Sequence, residues 1–198
     1  DEDNLKVSNS PTNGHVLTAQ SGNTGGLTWA APNSGEILKV VGSSTNTLGS
    51  ISLSSNTYAD VTGVSASLTP ASASSKVLIS GSIFGDPDGY DYRCRFRIKV
   101  AITGGATTYI QGVGSGNRQP ALVVANFGGG SETSSETAHA TSIPNFLHSP
   151  NTTSEVTYTV QVSYNGATTF YINRCEGDTD IADSVRGISW ITLMEVKS

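Results

Sequence analysis

Charged side chains are scarce in this sequence of 198 residues, because Asp, Glu, Lys and Arg together make up only 14% of it. An average soluble domain holds roughly 25%. The formal net charge is -5, with only 11 Lys and Arg residues. Nucleic-acid binding depends on clustered Lys and Arg, so the charge balance argues against a nucleic-acid partner. The sequence also lacks an apolar run of the roughly 20 residues that a membrane-spanning helix needs, which argues against membrane insertion.

Cysteine is equally scarce, and the sequence lacks the common catalytic motifs. Cys94 and Cys175 are the only two cysteines, so there is neither a disulfide framework nor a CxxC metal motif. One disulfide and two buried thiols are both compatible with this pair, and we favour the thiols. GxSxG, HExxH and phosphate-binding loops are absent, and the three histidines lie in loop-like stretches without a motif around them. We therefore predict no catalytic residue, no enzyme activity and no cofactor.

The first 35 residues differ in composition from the rest. The stretch from Asn4 to Trp29 holds few large apolar groups among turn formers such as Pro11 and Asn13-Gly14. A segment of this kind cannot build a core of its own. We predict an extended N-terminal segment at residues 1–35, in two or three short pieces that need apolar partners, followed by a separate domain at residues 36–198.

From Glu36 onward, short alternating apolar and polar runs are separated by clusters of Gly, Ser, Asn and Asp. This pattern is typical of an all-β antiparallel sandwich or barrel, and no amphipathic helix is visible. In the clearest run, 156–164, the apolar residues face one way and Thr157, Thr159, Gln161 and Ser163 the other, which predicts a half-buried strand. The other predicted strands are 37–41, 65–68, 77–84, 93–102, 107–113, 122–127, 168–173 and 188–196.

The last predicted strand is apolar on both faces. Trp190 and Met194 lie on one side, and Ile191 and Leu193 on the other. A central strand that is covered on both faces has this pattern. Alternatively, one face fills the core while the other packs against a neighbouring subunit, because a monomer rarely exposes a large apolar patch. The sequence leaves both interpretations open.

Carboxylates cluster at residues 86–91 and again at residues 176–183. Calcium prefers several oxygens from one loop, which makes Asp178, Asp180 and Asp183 the candidate metal ligands. Asp is also a favoured turn residue, and neither cluster fits the EF-hand pattern. We favour turn formation, with no metal bound.

A row of cations follows one predicted strand. Arg93, Arg95, Arg97 and Lys99 occupy alternate positions and therefore project from the same face. Guanidinium groups bind carboxylate and phosphate through two parallel hydrogen bonds, so the row would suit an anionic saccharide or a phosphate. The interpretation we favour is a solvent-facing surface whose cations pair with Asp or Glu of neighbouring strands.

The chain also resembles a known family. Its N-terminal stretch LKVSNSPTNGHVLTAQSGNTGGLTWAAP is similar to segments of tail-fibre and other virion appendage proteins of bacteriophages, particularly marine and cyanobacterial phages. Residues 56–70, 76–82, 146–158 and 171–195 look like successive blocks of the C-terminal β domain of that family. The resemblance spans nearly the whole chain, but its motifs are structural and supply no catalytic residue.

The resemblance implies a homotrimer with a jelly-roll-like head, located in the virion and attached to other virion proteins through the N-terminal segment. A threefold interface would use apolar residues of the segment and of the last strand: Leu17, Leu27, Trp29, Trp190, Ile191 and Leu193. Exposed loops at 86–92, 112–119 and 128–139 would contact a host-surface glycan or protein. Aromatic faces and planar polar groups suit such contacts, and the candidates are Tyr90, Tyr92, Asn117, Arg118 and His139.

The sequence thus predicts a non-enzymatic, trimeric phage fibre or spike protein whose head contributes to receptor binding. One alternative is a structural capsid decoration or head-fibre protein, in which the N-terminal segment plugs into the shell. A third hypothesis is a spike that degrades surface polysaccharide, which needs two carboxylates about 5 to 9 Å apart. Asp86, Asp88, Asp178 and Asp180 would have to supply them, although no motif supports it.

Overall fold

The computed structural model describes residues 6–22, 25–31, 35–88, 92–127, 138–182 and 184–198. These ranges contain strands and turns, and no helix in them is long and apolar enough to cross a membrane. The prediction of an all-β antiparallel fold is confirmed. The thirteen strands are β1 (Val16–Ala19), β2 (Leu27–Ala30), β3 (Ile37–Thr45), β4 (Gly49–Leu53), β5 (Ala59–Leu68), β6 (Lys76–Pro87), β7 (Tyr92–Ile102), β8 (Thr107–Ile110), β9 (Val123–Phe127), β10 (His139–His148), β11 (Val156–Ser163), β12 (Thr168–Ile172) and β13 (Ser189–Val196).

Strands β1 and β2 form a two-stranded antiparallel sheet of their own within the N-terminal segment. The side chain of Asn9 stabilises this hairpin by acting like a piece of neighbouring backbone. Its Nδ2 donates to the carbonyl of Trp29, and its Oδ1 accepts from the Trp29 amide, both at 2.8 Å. The hairpin therefore satisfies its polar groups locally, while its apolar residues gain little cover.

The body consists of two antiparallel sheets. In the first sheet the order is β3-β13-β6-β12-β4, and β10 pairs with the other edge of β6. In the second sheet the order is β5-β11-β7, and the far edge of β7 pairs with β9 along its first half and with β8 along its second half. Eight strands, β3-β13-β6-β10 against β5-β11-β7-β9, have the order of the two Greek keys that define a jelly roll.

Strands β12 and β13 lie end to end along one edge of β6, where Ile172 pairs with Gly85 and Trp190 with Ser82. The chain leaves the sheet between them at residues 173–188, which we call the excursion loop. The alternating sequence pattern does not predict that this loop separates two strands lying along the same edge of β6, because β12 and β13 each keep their own alternation.

A single apolar core fills the space between the two sheets. Val156, Tyr158, Val160 and Val162 all point into it with no exposed surface, as their alternation predicts. Across the core, the rings of Phe96 and Phe170 meet edge to face with centroids 5.9 Å apart. This geometry is favoured by aromatic quadrupoles, and it joins the second sheet to the first.

The opposite face of β11 is also covered, so the prediction of a half-buried strand is wrong. Gln161 is 6% exposed and Ser163 only 1% exposed. The reason is that long polar side chains of the neighbouring strands lie across this outer face, among them Arg97 of β7 and Asp60 of β5. The alternating pattern of β11 cannot predict that its outer face is buried, because the side chains that bury it are polar and belong to other strands.

The two faces of β13 have different surroundings. Ile191 and Leu193 point into the core and are 1% and 0% exposed, whereas Trp190 on the other face is 38% exposed. This corrects the assignment of Ile191 and Leu193 to an interface between chains, because their side chains are already covered within one chain. Of the three candidates on this strand, Trp190 alone lies at the surface.

The sandwich has two distinct ends. At the first, Ile37 and Lys76 both pair with Val196, and the amide of Gly35 donates to the carbonyl of Lys197 at 2.7 Å. The N-terminal segment joins the sandwich here, so we call it the joining end. Strand β6 runs twelve residues to Pro87, or roughly 36 Å at 3.3 Å per residue. The chain turns there into β7, and we call this the loop end.

Candidate binding site at the loop end

The predicted row of cations exists on the outer face of β7. Cys94, Phe96, Ile98 and Val100 point into the core with no exposed surface, so the alternate residues between them face outward. The four cations on that outer face have two different environments. Those nearer the joining end are held by neighbouring side chains, and those nearer the loop end line a groove.

Arg97 is enclosed by neutral partners. Its guanidinium lies between the rings of Tyr58 and Tyr109, 3.9 and 3.7 Å from their centroids. Its Nε donates to Gln161 at 2.7 Å and its Nη1 to Gln111 at 3.0 Å. Burial lowers the pKa of Arg97, and the two tyrosines oppose that shift. Arg97 is therefore a structural cation, with Nε and Nη1 hydrogen-bonded and both faces of its guanidinium against aromatic rings.

Lys99 forms an ion pair with Asp60 of β5. Asp60 also accepts a hydrogen bond from Nε2 of Gln161 at 2.6 Å. Burial acts to raise the pKa of Asp60, but the hydrogen bonds from Lys99 and Gln161 outweigh it and lower the pKa below its usual value. The expected pairing of the row with carboxylates therefore holds for Lys99, whereas Arg97 uses amides and aromatic rings instead.

Arg93 and Arg95 line a groove of about 500 Å³, together with Val124, Tyr164 and Asn165. Arg95 lies opposite Val124 of β9 on one side and Ser163 of β11 on the other. The turn after β11 therefore forms one wall and β9 the other. The amide of Asn56 donates to the Tyr164 carbonyl at 2.8 Å, which holds that turn in place.

The guanidinium of Arg95 is incompletely paired. Its Nη2 donates to Oδ1 of Asn56 at 3.1 Å, while its Nε is buried and has no acceptor. Among the described residues, neither Arg93 nor Arg95 has a carboxylate within ion-pair distance. A partly buried charge of this kind is stabilised only when an acceptor is supplied. The groove therefore combines two under-used guanidinium groups with an aromatic wall, an apolar side chain and an amide.

A second polar cluster lies where the excursion loop contacts Asp86 of β6. Asp86 is only 7% exposed, and its Oδ2 accepts the amide of Glu176 at 3.0 Å. Burial raises the pKa of Asp86 to about 7; the amide hydrogen bond opposes this shift, and the charges of Glu176 and Asp88 add to it. Asp86 thus joins the excursion loop to the sandwich and titrates near neutral pH.

Among the candidate metal ligands, Asp178 pairs with an arginine of the excursion loop. Arg186 donates from Nε and Nη2 to the two carboxylate oxygens of Asp178, both at 2.9 Å. This bidentate pair gives Asp178 a cation within the chain. Asp180 is exposed, and Asp183 lies outside the described residues. Within the described ranges no three His, Cys, Asp or Glu side chains come together in a metal-binding arrangement.

The residues predicted to contact a receptor do not form one cluster. His139 begins β10 opposite Gly85, and Tyr92 begins β7, so both positions lie at the loop end. Asn117 and Arg118 are exposed in a turn between β8 and β9, beside the middle of β7. Tyr90 and most of the predicted loop 128–139 lie outside the described residues. Sequence reasoning included Arg93 and Arg95 in a row but missed the other groove residues, because the turn and β9 are distant in sequence.

An apolar row crosses the outer face of the first sheet. Val40 pairs with Met194, Met194 with Leu78, and Leu78 with Leu147. Val40 is 57% exposed and Leu147 48%. Trp190 lies on the same face of β13, four residues before Met194. This face therefore presents a row of partly exposed apolar side chains across four neighbouring strands.

In the N-terminal hairpin, the remaining interface candidates are partly covered at most. Leu17 is 38% exposed, and Leu27 and Trp29 are half-buried. Leu17 pairs with Trp29 across the hairpin. These residues therefore retain apolar surface that a partner could cover. This agrees with the expectation that the N-terminal segment needs apolar partners.

The two cysteines are buried, and His148 packs against a core tyrosine. Cys94 and Cys175 are both buried and form no disulfide with each other, so the preferred interpretation of this pair is confirmed. Burial raises the pKa of Cys94 to about 12, which keeps it a thiol. His148 contacts the hydroxyl of Tyr158 through Nδ1 at 3.0 Å, and burial lowers its pKa.

The strand order thus defines the chain as a jelly-roll protein. No family model and no curated protein matches it. Among solved structures it is similar to the VP2 protein of infectious bursal disease virus in T=1 particles, with 13% identity over 85% of this chain and a TM-score of 0.42. It is also similar to the Gx strain structure of that virus, with 10% identity over 86% and a TM-score of 0.43. The chain covers 38% and 39% of those chains. This weak likeness concerns the fold alone.

Proposed function

We propose that this chain is a virion structural protein, the jelly-roll head of a homotrimeric phage fibre or spike that binds the host surface. The observation that carries the proposal is that the two ends of the sandwich differ. The N-terminal segment joins at one end, where Gly35 bonds to Lys197, and the groove lined by Arg93 and Arg95 lies near the other. A head that is fixed at one end and binds at the other requires this arrangement.

The joining end supports attachment. The N-terminal hairpin has few apolar groups, and Val16 and Leu17 remain 46% and 38% exposed. Burial of apolar area is the main source of stability, so a hairpin this small gains much of its order from a partner. In the proposed particle, that partner is another virion protein.

The apolar row on the first sheet supports self-association. Val40, Leu147 and Trp190 are exposed on one face of the first sheet, and a monomer seldom leaves a large apolar surface uncovered. In a closed ring, each chain presents one patch to a different patch of its neighbour. The face lies along the side of the head, so a threefold assembly around it leaves the loop end accessible.

The proposal assigns binding to the head and no chemical step. Two of the four carboxylates named in the polysaccharide-degrading hypothesis, Asp86 and Asp178, have partners within the chain. Asp178 is held in two hydrogen bonds by Arg186, and Asp86 accepts the amide of Glu176. A carboxylate that is tied to its own loop is poorly placed to protonate a glycosidic oxygen or to attack a sugar carbon.

Selective masking of the two ends tests this function. Both native cysteines are buried, so a cysteine introduced at the surface can be labelled alone with a bulky polyethylene glycol. Ser54→Cys places the label in the exposed turn after β4 at the loop end, and Ala73→Cys places it in the exposed turn after β5 at the joining end. The purified protein, labelled or not, then competes with phage for adsorption to host cells.

We expect the unlabelled protein and the labelled Ala73→Cys variant to block adsorption, and the labelled Ser54→Cys variant to lose that ability. Equal blocking by both labelled proteins would refute binding at the loop end. No competition by the unlabelled protein, with unstable particles when the chain is deleted, would favour the decoration alternative. Release of reducing ends from host polysaccharide would show an enzyme.

A further inference from the structure

We propose that the groove between Arg93, Arg95, Tyr164 and Asn165 is a subsite for a carboxylated sugar, such as a uronic acid residue of a surface polysaccharide. The inference deepens the proposed function and rests on it only for the biological source of the sugar. The site itself follows from the groove, its charge and its unused donors.

The four cations of β7 differ in whether partners within the chain hold them. Arg97 and Lys99 use their donors on partners within the chain. Arg93 and Arg95, on the same face of the same strand, have no carboxylate partner among the described residues. Charge repulsion between neighbouring guanidinium groups is relieved by an anion, and the described part of the chain supplies none at this point.

The guanidinium of Arg95 lacks an acceptor for one of its buried donors. Its Nε is buried without an acceptor, and Asn56 takes a hydrogen bond from Nη2 only. Asn56 thus engages one terminal nitrogen of the guanidinium and leaves Nε without an acceptor. A carboxylate in the groove would give the guanidinium the two parallel hydrogen bonds that suit its geometry.

The remaining walls suit the rest of a sugar. Val124 is 54% exposed in the groove, and Tyr164, which lines the groove, also packs against the apolar core. The aliphatic side chain and the accessible part of the tyrosine fit the C–H surfaces of a pyranose, while the exposed amide of Asn165 suits its hydroxyls. An inorganic anion would use the two guanidinium groups alone, so these walls favour a carboxylated sugar.

The test measures binding of tetragalacturonic acid to the full chain by titration calorimetry. Neutral maltotetraose and inorganic phosphate serve as comparison ligands. The variants are Arg93→Gln, Arg95→Gln and Lys76→Gln. Lys76 is exposed at the joining end, so its variant removes the same charge far from the groove. Arg93 is exposed, so Arg93→Gln remains informative even if Arg95→Gln alters folding.

We expect tetragalacturonic acid to bind, maltotetraose not to bind, and phosphate to bind at least tenfold more weakly. Each arginine substitution weakens binding by roughly tenfold or more, since it removes a charged hydrogen-bonding group. The Lys76→Gln variant binds like the parent.

Three results would overturn the subsite: no binding of the tetrasaccharide, equal weakening by Lys76→Gln, or equal affinity for phosphate, which would reveal a plain oxyanion site. The host-adsorption experiment is independent of this ligand. Blocked adsorption without uronate binding would reject the subsite alone, and uronate binding without blocked adsorption would reject the host-binding function alone.

Discussion

Ser189 donates a hydrogen bond to Oδ1 of Asn173 at 2.8 Å, and this contact closes the base of the excursion loop. Asn173 has no exposed surface and a positive φ of 63°. Its Nδ2 donates to the carbonyls of Thr45 and Thr47, both at 2.9 Å. Ser189 in turn accepts the amide of Phe84 at 3.0 Å. One buried amide thus joins the ends of β3, β12 and β13.

We predict that Asn173→Ala lowers the free energy of unfolding by about 2–4 kcal/mol. The substitution removes the hydrogen bonds to two partly buried carbonyls and takes the acceptor Oδ1 away from the buried hydroxyl of Ser189, at about 1–3 kcal/mol for a buried unsatisfied group, and it places alanine at a positive φ. Urea denaturation measures the change. The control is Asn151→Ala, which has a similar φ of 53° at an exposed site. Equal losses in both variants would assign the effect to backbone strain rather than to the hydrogen bonds.

Asp86 makes the stability of the fold pH-dependent. Its pKa in the folded chain is raised to about 7 from 3.8, chiefly by burial. The folded state therefore keeps a proton that the unfolded chain releases. The stabilisation is complete below about pH 4 and is lost as the pH rises through 7, with a slope of at most about 1.4 kcal/mol per pH unit.

The Asp86→Asn variant tests this dependence, because an amide oxygen can still accept the Glu176 amide. We expect the variant to gain stability relative to the parent between pH 5 and pH 8 in urea denaturation. Asp180→Asn, at an exposed position of the excursion loop that Asp86 contacts, serves as the control and changes little. A difference between parent and Asp86→Asn that stays constant with pH would contradict the prediction.

Arg97 holds the outer face of the second sheet together. We predict that Arg97→Lys lowers the free energy of unfolding by about 1–2 kcal/mol, because an ammonium group cannot stack between two rings and reach both glutamines. Arg93→Lys makes the same chemical change at an exposed position and should stay within about 0.5 kcal/mol. Thermal and urea denaturation compare the two. A loss no larger for Arg97 than for Arg93 would show that the stacked geometry contributes nothing.

The trimer is tested by light scattering. We expect a molar mass of about 61.5 kDa, three times the 20.5 kDa of one chain. Val40→Glu places a charge in the apolar row and should shift the mass toward one chain. Val113→Glu makes the same change at a residue that is 98% exposed outside the row and should leave the trimer intact. A parent protein that scatters as 20.5 kDa at all concentrations would disprove the trimer.

Sequence patterns were reliable where burial alternates strictly along a strand. They predicted nearly all of β7, β11 and β13 and eight of the twelve residues of β6, because a core on one side imposes a period of two. They missed β10, where Pro144 and a bulge between Ile143 and Phe146 break the alternation. They also missed β4 and the first half of β5, whose outward residues are small and polar and resemble turns. The jelly-roll class was predicted through family resemblance, and the strand order now supports it directly.

The sequence by itself determined the all-β class, the inward faces of the main strands and the row of cations on β7, whereas it left open whether the two cysteines pair. Each of these follows from local alternation or composition. Only the tertiary structure decided that Arg97 and Lys99 are paired while Arg93 and Arg95 line a groove. The partners of these cations, from Asn56 to Tyr164, come from segments far apart in the chain. Their proximity depends on strand order, which local patterns do not encode.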